Sequence, residues 1–419
     1  MLSFLRKILG QRFINYYHLA AAALANFIYG FPSRSLRVIG VTGTDGKTTT
    51  VNMIASILRT AGKNTSHLST VNAQIGSKVY GTGLHTTTPS SFGLQRLLRK
   101  AVSARSEYVV LEITSHALDQ YRTWGIRFET AVVTNVSHEH LDYHRDLVSY
   151  MAAKAKLLRN ARYVILNMDD KSFSFFSGTL KKQEPVTYGL DPSAKIWADG
   201  IKEDLVSQSA LAHTPAGSFP VTLNLSGQFN LYNALAAIGV ATAYGLEAPA
   251  MQKGLSAVKN IPGRLEIIPS QKSFSVMVDF AHTPNALEKL LRFLRPKVKG
   301  RIIHVFGSAG ERDKVKRPLM GGASDRYADM VILTREDNRS ESLDQICHQI
   351  ALGISQKMFD DSYFIMPNRR EAIRFALFRA RPNDLVIITG KGHEQSLNVD
   401  GIETPWDDRA VAREELSKL

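Results

Sequence analysis

The residues with the most evident chemistry lie together in Val38-Ile39-Gly40-Val41-Thr42-Gly43-Thr44-Asp45-Gly46-Lys47-Thr48-Thr49-Thr50. A buried-strand pattern runs into a Gly-rich turn, then Lys-Thr, then a helical run from Val51 to Arg59. Such glycines permit a tight loop whose backbone N–H groups surround a phosphate, with a helix N-terminus behind it. Lys47 supplies a mobile positive charge, and the Thr48 hydroxyl can ligate Mg²⁺. Two residues separate Gly43 from Gly46, where the common P-loop has four. The alternative is an ordinary Gly-rich strand–helix turn. The coincidence of strand, turn, Lys-Thr and helix favours a nucleotide triphosphate site.

Other constellations follow predicted strands. Glu112, in Leu111-Glu112-Ile113-Thr114-Ser115-His116, stands at a strand end, where ligands of open α/β sheets collect. A carboxylate there can hold the Mg²⁺ of a nucleotide; the alternative is a satisfied surface Glu. Thr134-Asn135-Val136-Ser137-His138-Glu139-His140-Leu141-Asp142-Tyr143-His144 invites a metal reading. His138-x-His140-x-Asp142 is similar to a zinc-hydrolase motif, but Tyr143 separates Asp142 from the final His and the phosphate loop is left unexplained. One imidazole on Mg²⁺ near phosphates, with the others structural or solvated, suits the segment better. Lys154, in Met151-Ala152-Ala153-Lys154-Ala155-Lys156, reads by pattern alone as a solvated helix lysine. Val278-Asp279-Phe280-Ala281-His282-Thr283-Pro284, Phe306-Gly307-Ser308-Ala309-Gly310-Glu311-Arg312 and Thr389-Gly390-Lys391-Gly392-His393-Glu394 each end a predicted strand in a polar loop.

The elements that must position these groups are legible in outline. The 419 residues exceed one core and predict two or three domains. Short β-branched runs at 38–42, 108–113, 131–135 and 163–167 alternate with helical patterns at 48–61, 92–105 and 147–159, a βαβ rhythm. Residues 183–226 read as an antiparallel appendage, followed by a helix over 232–244. Ile261-Pro262-Gly263-Arg264 marks a boundary, after which strands are predicted at 275–279, 301–306, 330–333 and 385–389. The fold class is therefore α/β. A central P-loop-type domain with a mostly parallel sheet (37–261) and a C-terminal Rossmann-like α/β domain (262–419) follow a short N-terminal helix (1–36).

Apolar residues at 44% and charged residues at 21% describe a globular protein. The single cysteine, Cys347, excludes an internal disulfide and fits a cytoplasmic compartment. A formal net charge of +14 favours anionic partners, and no aromatic-interleaved basic run marks a nucleic-acid surface. Arg6, Lys7 and Arg12 precede an apolar stretch, Ile14 to Phe31, interrupted by Asn15, His18 and Asn26. It is too short and impure for a membrane span. A helix packed on the domain, or lying on a membrane surface through residues 1–33, remains as two alternatives.

Taken in order, the segments resemble the Mur ligase family of ATP-dependent, amide-bond-forming enzymes of peptidoglycan synthesis. Within that family the tripeptide-synthetase branch is nearest, on Thr86-Thr87-Thr88-Pro89, Asp119-Gln120-Tyr121-Arg122, His140-Leu141-Asp142-Tyr143-His144 and Gly390-Lys391-Gly392-His393-Glu394. The resemblance implies that ATP phosphorylates an acceptor carboxylate and that an amino group then displaces phosphate. It implies two Mg²⁺ ions, one at Thr48 and Glu112 and one at His140 with a carbamylated Lys154. Lys47 with Gly43, Thr44, Asp45, Gly46, Thr48 and Thr49 would hold the phosphates. Asn230 and Asn233 match adenine-side positions, and Arg264, Asp279 and His282 match ATP contacts of the second domain. Thr87, Thr88, Thr114, Gln120 and Arg122 match muramoyl-peptide positions; Arg312, Gly390 and Glu394 match amino-acid positions.

Two departures shape expectation. About 36 residues precede the first strand, where the family carries a uridine-nucleotide domain of ~100 residues; the central domain is therefore expected to hold most of the acceptor. Glu336-Asp337-Asn338-Arg339 stands where diaminopimelate-adding members have Asp-Asn-Pro-Arg. Arg339 suits a second carboxylate, as on diaminopimelate, whereas Asp337 suits the side-chain ammonium of lysine. The implied reaction adds diaminopimelate or lysine to a muramoyl-L-alanyl-D-glutamate acceptor. A related ligase with another acceptor (recycling or folylpolyglutamate-type) and a non-catalytic ATP-binding scaffold are the alternatives. The oligomeric state is not legible.

Overall fold

The computed structural model describes residues 2–80, 87–137, 143–180 and 183–419, with side chains from residue 14 onward. The chain divides into two compact units, Met1–Lys259 and Asn260–Leu419.

The first unit opens with helix α1 (Leu2–Ile28), then β1 (Arg37–Thr42) and α2 (Lys47–Thr60). β2 (Thr65–Leu68), β3 (Ala73–Ile75) and β4 (Lys78–Tyr80) precede α3 (Ser91–Ser103), β5 (Tyr108–Glu112), α4 (Ser115–Asp119) and β6 (Phe128–Val133). α5 (Leu147–Ala155), β7 (Tyr163–Asn167), α6 (Phe173–Gly178) and β8 (Val186–Gly189) lead to β9 (Ile196–Glu203), β10 (Gln208–Thr214) and β11 (Gly217–Leu223). α7 (Gln228–Ala243) and α8 (Ala248–Ser256) close the unit. Val38, Ile39, Val109, Val110, Ala131 and Val132 are fully buried, as expected of parallel strands covered on both faces. In α3, Leu94, Leu97, Leu98 and Ala101 face the core at helical spacing, and the Ser90 hydroxyl caps the helix by accepting from Gly93 N.

These strands form an eleven-stranded sheet in the order β11-β10-β9-β8-β7-β6-β1-β5-β2-β3-β4. β1 pairs in parallel with both β5 and β6, so the chain ends of three strands meet beside the Gly-rich loop. That is the switch point at which open α/β sheets bind ligands. The appendage expected over 183–226 is no separate layer. β8 pairs in parallel with β7 and β9, and β10 and β11 then extend the same sheet antiparallel. The small strands β2–β4, absent from the sequence reading, widen the opposite edge.

The second unit contains β12 (Glu266–Ile267), β13 (Ser275–Asp279), α9 (Pro284–Leu294), β14 (Ile302–Phe306), α10 (Lys316–Tyr327) and β15 (Met330–Leu333). α11 (Leu343–Ala351), β16 (Tyr363–Ile365), α12 (Arg369–Arg379), β17 (Leu385–Thr389), a β18–β19 hairpin (Ser396–Val399, Ile402–Pro405) and α13 (Asp408–Leu416) follow. The order β12-β13-β17-β14-β15-β16 is parallel except at β12.

A buried ion pair organises its loop end. Arg369 and Asp408, whose side chains are both 0% exposed, meet at 2.7 Å. The same guanidinium donates to Arg335 O at 2.9 Å and Thr389 O at 2.8 Å, tying the ends of β15 and β17. Removing one partner strands the other charge in the interior, which costs about 3–5 kcal/mol. Asp408→Asn should lower stability by that amount in urea unfolding followed by circular dichroism, and Arg369→Met with Asp408→Leu should recover part of it. A change below ~1 kcal/mol for Asp408→Asn would show the pair to be dispensable.

Candidate active site

The loop Gly43–Gly46 is held rigidly by the end of β6. Thr44 N donates to Asn135 O at 2.8 Å and Asp45 N to Asn135 Oδ1 at 2.9 Å. Asp45 O in turn accepts from Thr134 Oγ1 at 2.7 Å and Asn135 Nδ2 at 3.0 Å. Two glycines are dictated by contact. At Gly43 (φ +153°) a Cβ would collide with the Thr134 hydroxyl, and at Gly46 (φ +81°) with Asn233 Oδ1. Gly46 caps α2, so the first N–H groups of that helix lie next to the loop, a ready anion site.

Two ammonium groups converge on one oxygen here. Lys47 Nζ lies 3.2 Å from Gly43 O and 2.7 Å from Thr44 O. Lys154 Nζ donates to the same Gly43 O at 2.7 Å and sits 4.2 Å over the Tyr150 ring. Lys154 is buried, so its reading as a solvated helix lysine is corrected. α5 turns it inward and turns Lys156 toward Asp119, 2.9 Å away. The Tyr150 hydroxyl reaches Thr44 Oγ1 at 3.2 Å, which couples α5 to the loop.

Glu112, at the end of β5, is likewise buried and no surface carboxylate. Its Oε2 accepts from Thr48 Oγ1 at 2.9 Å and Thr70 N at 2.8 Å, and its Oε1 from Thr70 Oγ1 at 2.8 Å. Thr48 and Glu112 thus bring two hard oxygen donors together beside the loop, a set that fits Mg²⁺. Thr70 was not singled out by the sequence; forty-two positions separate it from Glu112. Among the described residues no group of three or more His, Cys, Asp or Glu is placed to hold a metal. His138, His140 and Asp142, on which the zinc and second-Mg²⁺ readings depend, lie outside the described residues, as does Thr86. His144 is buried against Ser115 Oγ, 3.0 Å away, and packs on His116, Tyr143 and Tyr150.

Asn233 of α7 accepts from Thr50 Oγ1 at 3.2 Å and donates to Asn230 Oδ1 at 3.2 Å, which sets both amides beside the phosphate loop. Thr49 is buried in the first turn of α2. On the far side of Glu112, Thr88 Oγ1 lies 3.1 Å from Glu112 O and 3.4 Å from Thr114 Oγ1, and Thr114 caps α4. Arg122 Nη1 donates to Thr88 O at 2.7 Å, and its Nε is buried without a partner among the described residues. Burial lowers the Arg122 pKa. A desolvated guanidinium beside two threonines is suited to a carboxylate ligand. Gln120 ends α4 next to it, and Thr87 is half-buried.

In the second unit the expected residues gather at the carboxyl ends of the strands. Asp279 ends β13, accepting from Leu265 N at 2.8 Å and Ala281 N at 2.7 Å; burial raises its pKa against the opposing charge of Arg264. Arg264 stacks 4.6 Å over Phe280, and His282 Nδ1 lies 2.9 Å from Phe280 O. Lys391, quoted only as part of a motif, is the hub of the amino-acid segment. Its ammonium is buried and lies 2.8 Å from Asp337 Oδ1 and 2.5 Å from Glu394 Oε2. Asp337 also accepts from Asn398 N at 2.9 Å. The protein's own Lys391 thus faces the carboxylate that the sequence offered to a lysine ammonium. Glu336, beside Gly390, is buried with Oε2 unpartnered, and burial raises its pKa. Arg339 is half-buried with a left-handed backbone (φ +53°), and Arg312 is exposed.

Comparison with known proteins identifies the family. The Mur ligase middle domain matches residues 41–241, and the Mur ligase, glutamate ligase domain matches residues 263–392. The chain is 40% identical over 396 residues to the UDP-N-acetylmuramoyl-L-alanyl-D-glutamate–2,6-diaminopimelate ligase of Aquifex aeolicus, covering 94% of this chain and 80% of that one. It is 38% identical over 418 residues to the UDP-N-acetylmuramyl-tripeptide synthetase of a Roseiflexus species, covering 96% and 82%. A solved UDP-N-acetylmuramoyl-L-alanyl-D-glutamate–2,6-diaminopimelate ligase superposes with a TM-score of 0.64 at 32% identity, over 91% of this chain and 78% of that one. The folylpolyglutamate synthase of Mycobacterium tuberculosis, at 18% identity and a TM-score of 0.73 over 89% and 92%, shares the fold. Loop, sheet order and sequence agree: the chain belongs to the Mur ligase family.

Proposed function

We propose that the protein is an ATP-dependent ligase of peptidoglycan synthesis that joins meso-diaminopimelate to the D-glutamyl carboxylate of a muramoyl-L-alanyl-D-glutamate acceptor. The observation that carries this reading is the rigid phosphate loop with Lys47 and Thr48 at its end, beside the buried Glu112 that accepts from Thr48. The relatives named above support the choice of substrates.

The acceptor carboxylate oxygen attacks the γ-phosphorus of ATP, the bond to the ADP oxygen breaks, and an acyl phosphate forms. The amino group of the second substrate then attacks the acyl carbon, the C–O bond to phosphate breaks, and the nitrogen loses a proton. Lys47 and the α2 N–H groups hold the β- and γ-phosphates where charge develops. Thr48 and Glu112 would hold one Mg²⁺; His140 and Lys154 would hold a second. Bound there, Mg²⁺ would draw charge from the phosphates. Carbamylation joins the Lys154 nitrogen to CO₂ with loss of two protons from the ammonium and turns a cation into an anion. Arg122, Thr88 and Thr114, with Thr87 and Gln120, orient the acceptor. Asn230 and Asn233 serve the adenine side, and Arg264, Asp279 and His282 complete the ATP contacts. The protein works in the cytoplasm, with residues 1–33 as a peripheral membrane contact.

Lys47→Ala and Lys154→Ala should each lower phosphate release by ~10³-fold, the scale of an electrostatic transition-state contact. Added acetate or formate should restore part of the activity of the Lys154 variant alone. Equal rescue of both, or full activity of either, would refute these roles.

Arg339 and Arg312 offer two guanidinium groups for the two carboxylates of diaminopimelate, with Glu394, shared with Lys391, for an ammonium. Asp337 and Glu394 both face Lys391, so the arginines and not these acids carry the choice between the two amino acids. In a competition assay diaminopimelate should be incorporated faster than lysine, and Arg339→Ala should narrow that preference. Faster incorporation of lysine, unchanged in Arg339→Ala, would make the arginine structural.

A further inference from the structure

Helix α1 has two unlike faces. The inner face is built into the first unit: Ile14, Ala22, Ala25 and Asn26 are buried. Asn15 Nδ2 reaches Asp119 Oδ2 at 3.4 Å, and Asn26 Nδ2 donates to Trp124 O at 2.7 Å. Asn26 also packs against Gly125, whose positive φ (+82°) lets the loop come close. This face therefore holds the segment 119–125, which contains the acceptor residues Gln120 and Arg122.

The outer face is apolar and open. Tyr16, Tyr17, Leu24, Phe27 and Ile28 are exposed, Phe27 by 76%. At 3.6 residues per turn these positions, with Ala20, fall within about one third of the helix circumference. Their charge context is one-sided. The first 44 residues contain no Asp or Glu, whereas Arg6, Lys7, Arg12, Arg34 and Arg37 are basic. Arg34 stacks 4.4 Å over Phe31, just past the end of the helix. Among the described residues no helix is long and apolar enough to cross a membrane.

We propose that the outer face of α1 docks onto an anionic lipid bilayer, with Tyr16, Tyr17, Leu24, Phe27 and Ile28 in the interfacial layer and the net positive charge of the segment attracting the anionic headgroups. Tyrosine and phenylalanine beside cations suit that boundary. A second copy is the poorer occupant, because an α1–α1 contact would bring like charges together with no acidic residue in the segment to offset them. The docking rests on the peripheral contact of residues 1–33 proposed above. Its consequence is positional: the acceptor segment 119–125 is then held about one helix diameter, roughly 10–12 Å, from the lipid surface.

The test is flotation of the 419-residue protein with phosphatidylcholine vesicles, with and without about one third phosphatidylglycerol, at low and high salt. The protein should float with anionic vesicles at low salt and lose at least ~10-fold of that affinity on neutral vesicles or in high salt. Leu24→Glu with Phe27→Glu should abolish flotation while leaving the thermal midpoint and ATP-dependent turnover of soluble acceptor unchanged. Flotation that survives the double substitution, or no flotation of the native chain, overturns the proposal. A native dimer that the double variant converts to monomers would assign the face to a second copy. Turnover is read without vesicles, so failure of the ligase reading would appear separately.

Discussion

Gly43 O accepts from two lysines, and much of the first unit is arranged around that meeting of charges. Two ammonium groups at one oxygen repel each other, a repulsion that a polyanion at the loop or carbamylation of Lys154 would relieve. The surrounding hydrogen bonds fix that geometry: Thr134 and Asn135 lock the loop from β6, Tyr150 holds Thr44 from α5, and Asn233 closes the back of Gly46 from α7. Each anchor comes from a different element, so the site is a property of the sheet order and not of the motif alone. The buried Glu112, already coordinated by Thr48 and Thr70, supplies the opposite charge one strand away.

The second unit solves a related problem with internal pairing. Lys391 neutralises Asp337 and Glu394 together, and Arg369 with Asp408 fastens the ends of β15 and β17 beneath them. Buried pairs of this kind add little net stability compared with an apolar core, yet they fix one arrangement of loops. Glu336 is buried beside them, and that burial raises its pKa.

The parallel core and the strand-end location of the loops were legible because both follow from local pattern: apolar runs for doubly covered strands, Gly-Lys-Thr before a helix. The resemblance supplied the family on several such segments at once. What the sequence hid was contact at a distance. Thr50 and Asn233 are 183 positions apart, and Thr70 and Glu112 forty-two. Lys154 and Lys156 look alike in sequence, and only the packing of α5 decides that one is buried over Tyr150 and the other pairs with Asp119. Strands β2–β4 are three or four residues long and partly polar, too brief to register against a turn. Asp337 read as open to a ligand because nothing local announces Lys391 as its partner.

Phosphoryl transfer to the acceptor carboxylate is the step on which the proposed ligation depends, and following the oxygen atoms tests it directly. The acceptor would carry ¹⁸O in its D-glutamyl carboxylate, and the phosphate released during amide formation would be weighed by mass spectrometry. An acyl phosphate requires one labelled oxygen to leave with the phosphate, in step with amide bonds formed. Amide formation with unlabelled phosphate would contradict the mechanism and the roles assigned to Lys47 and Glu112.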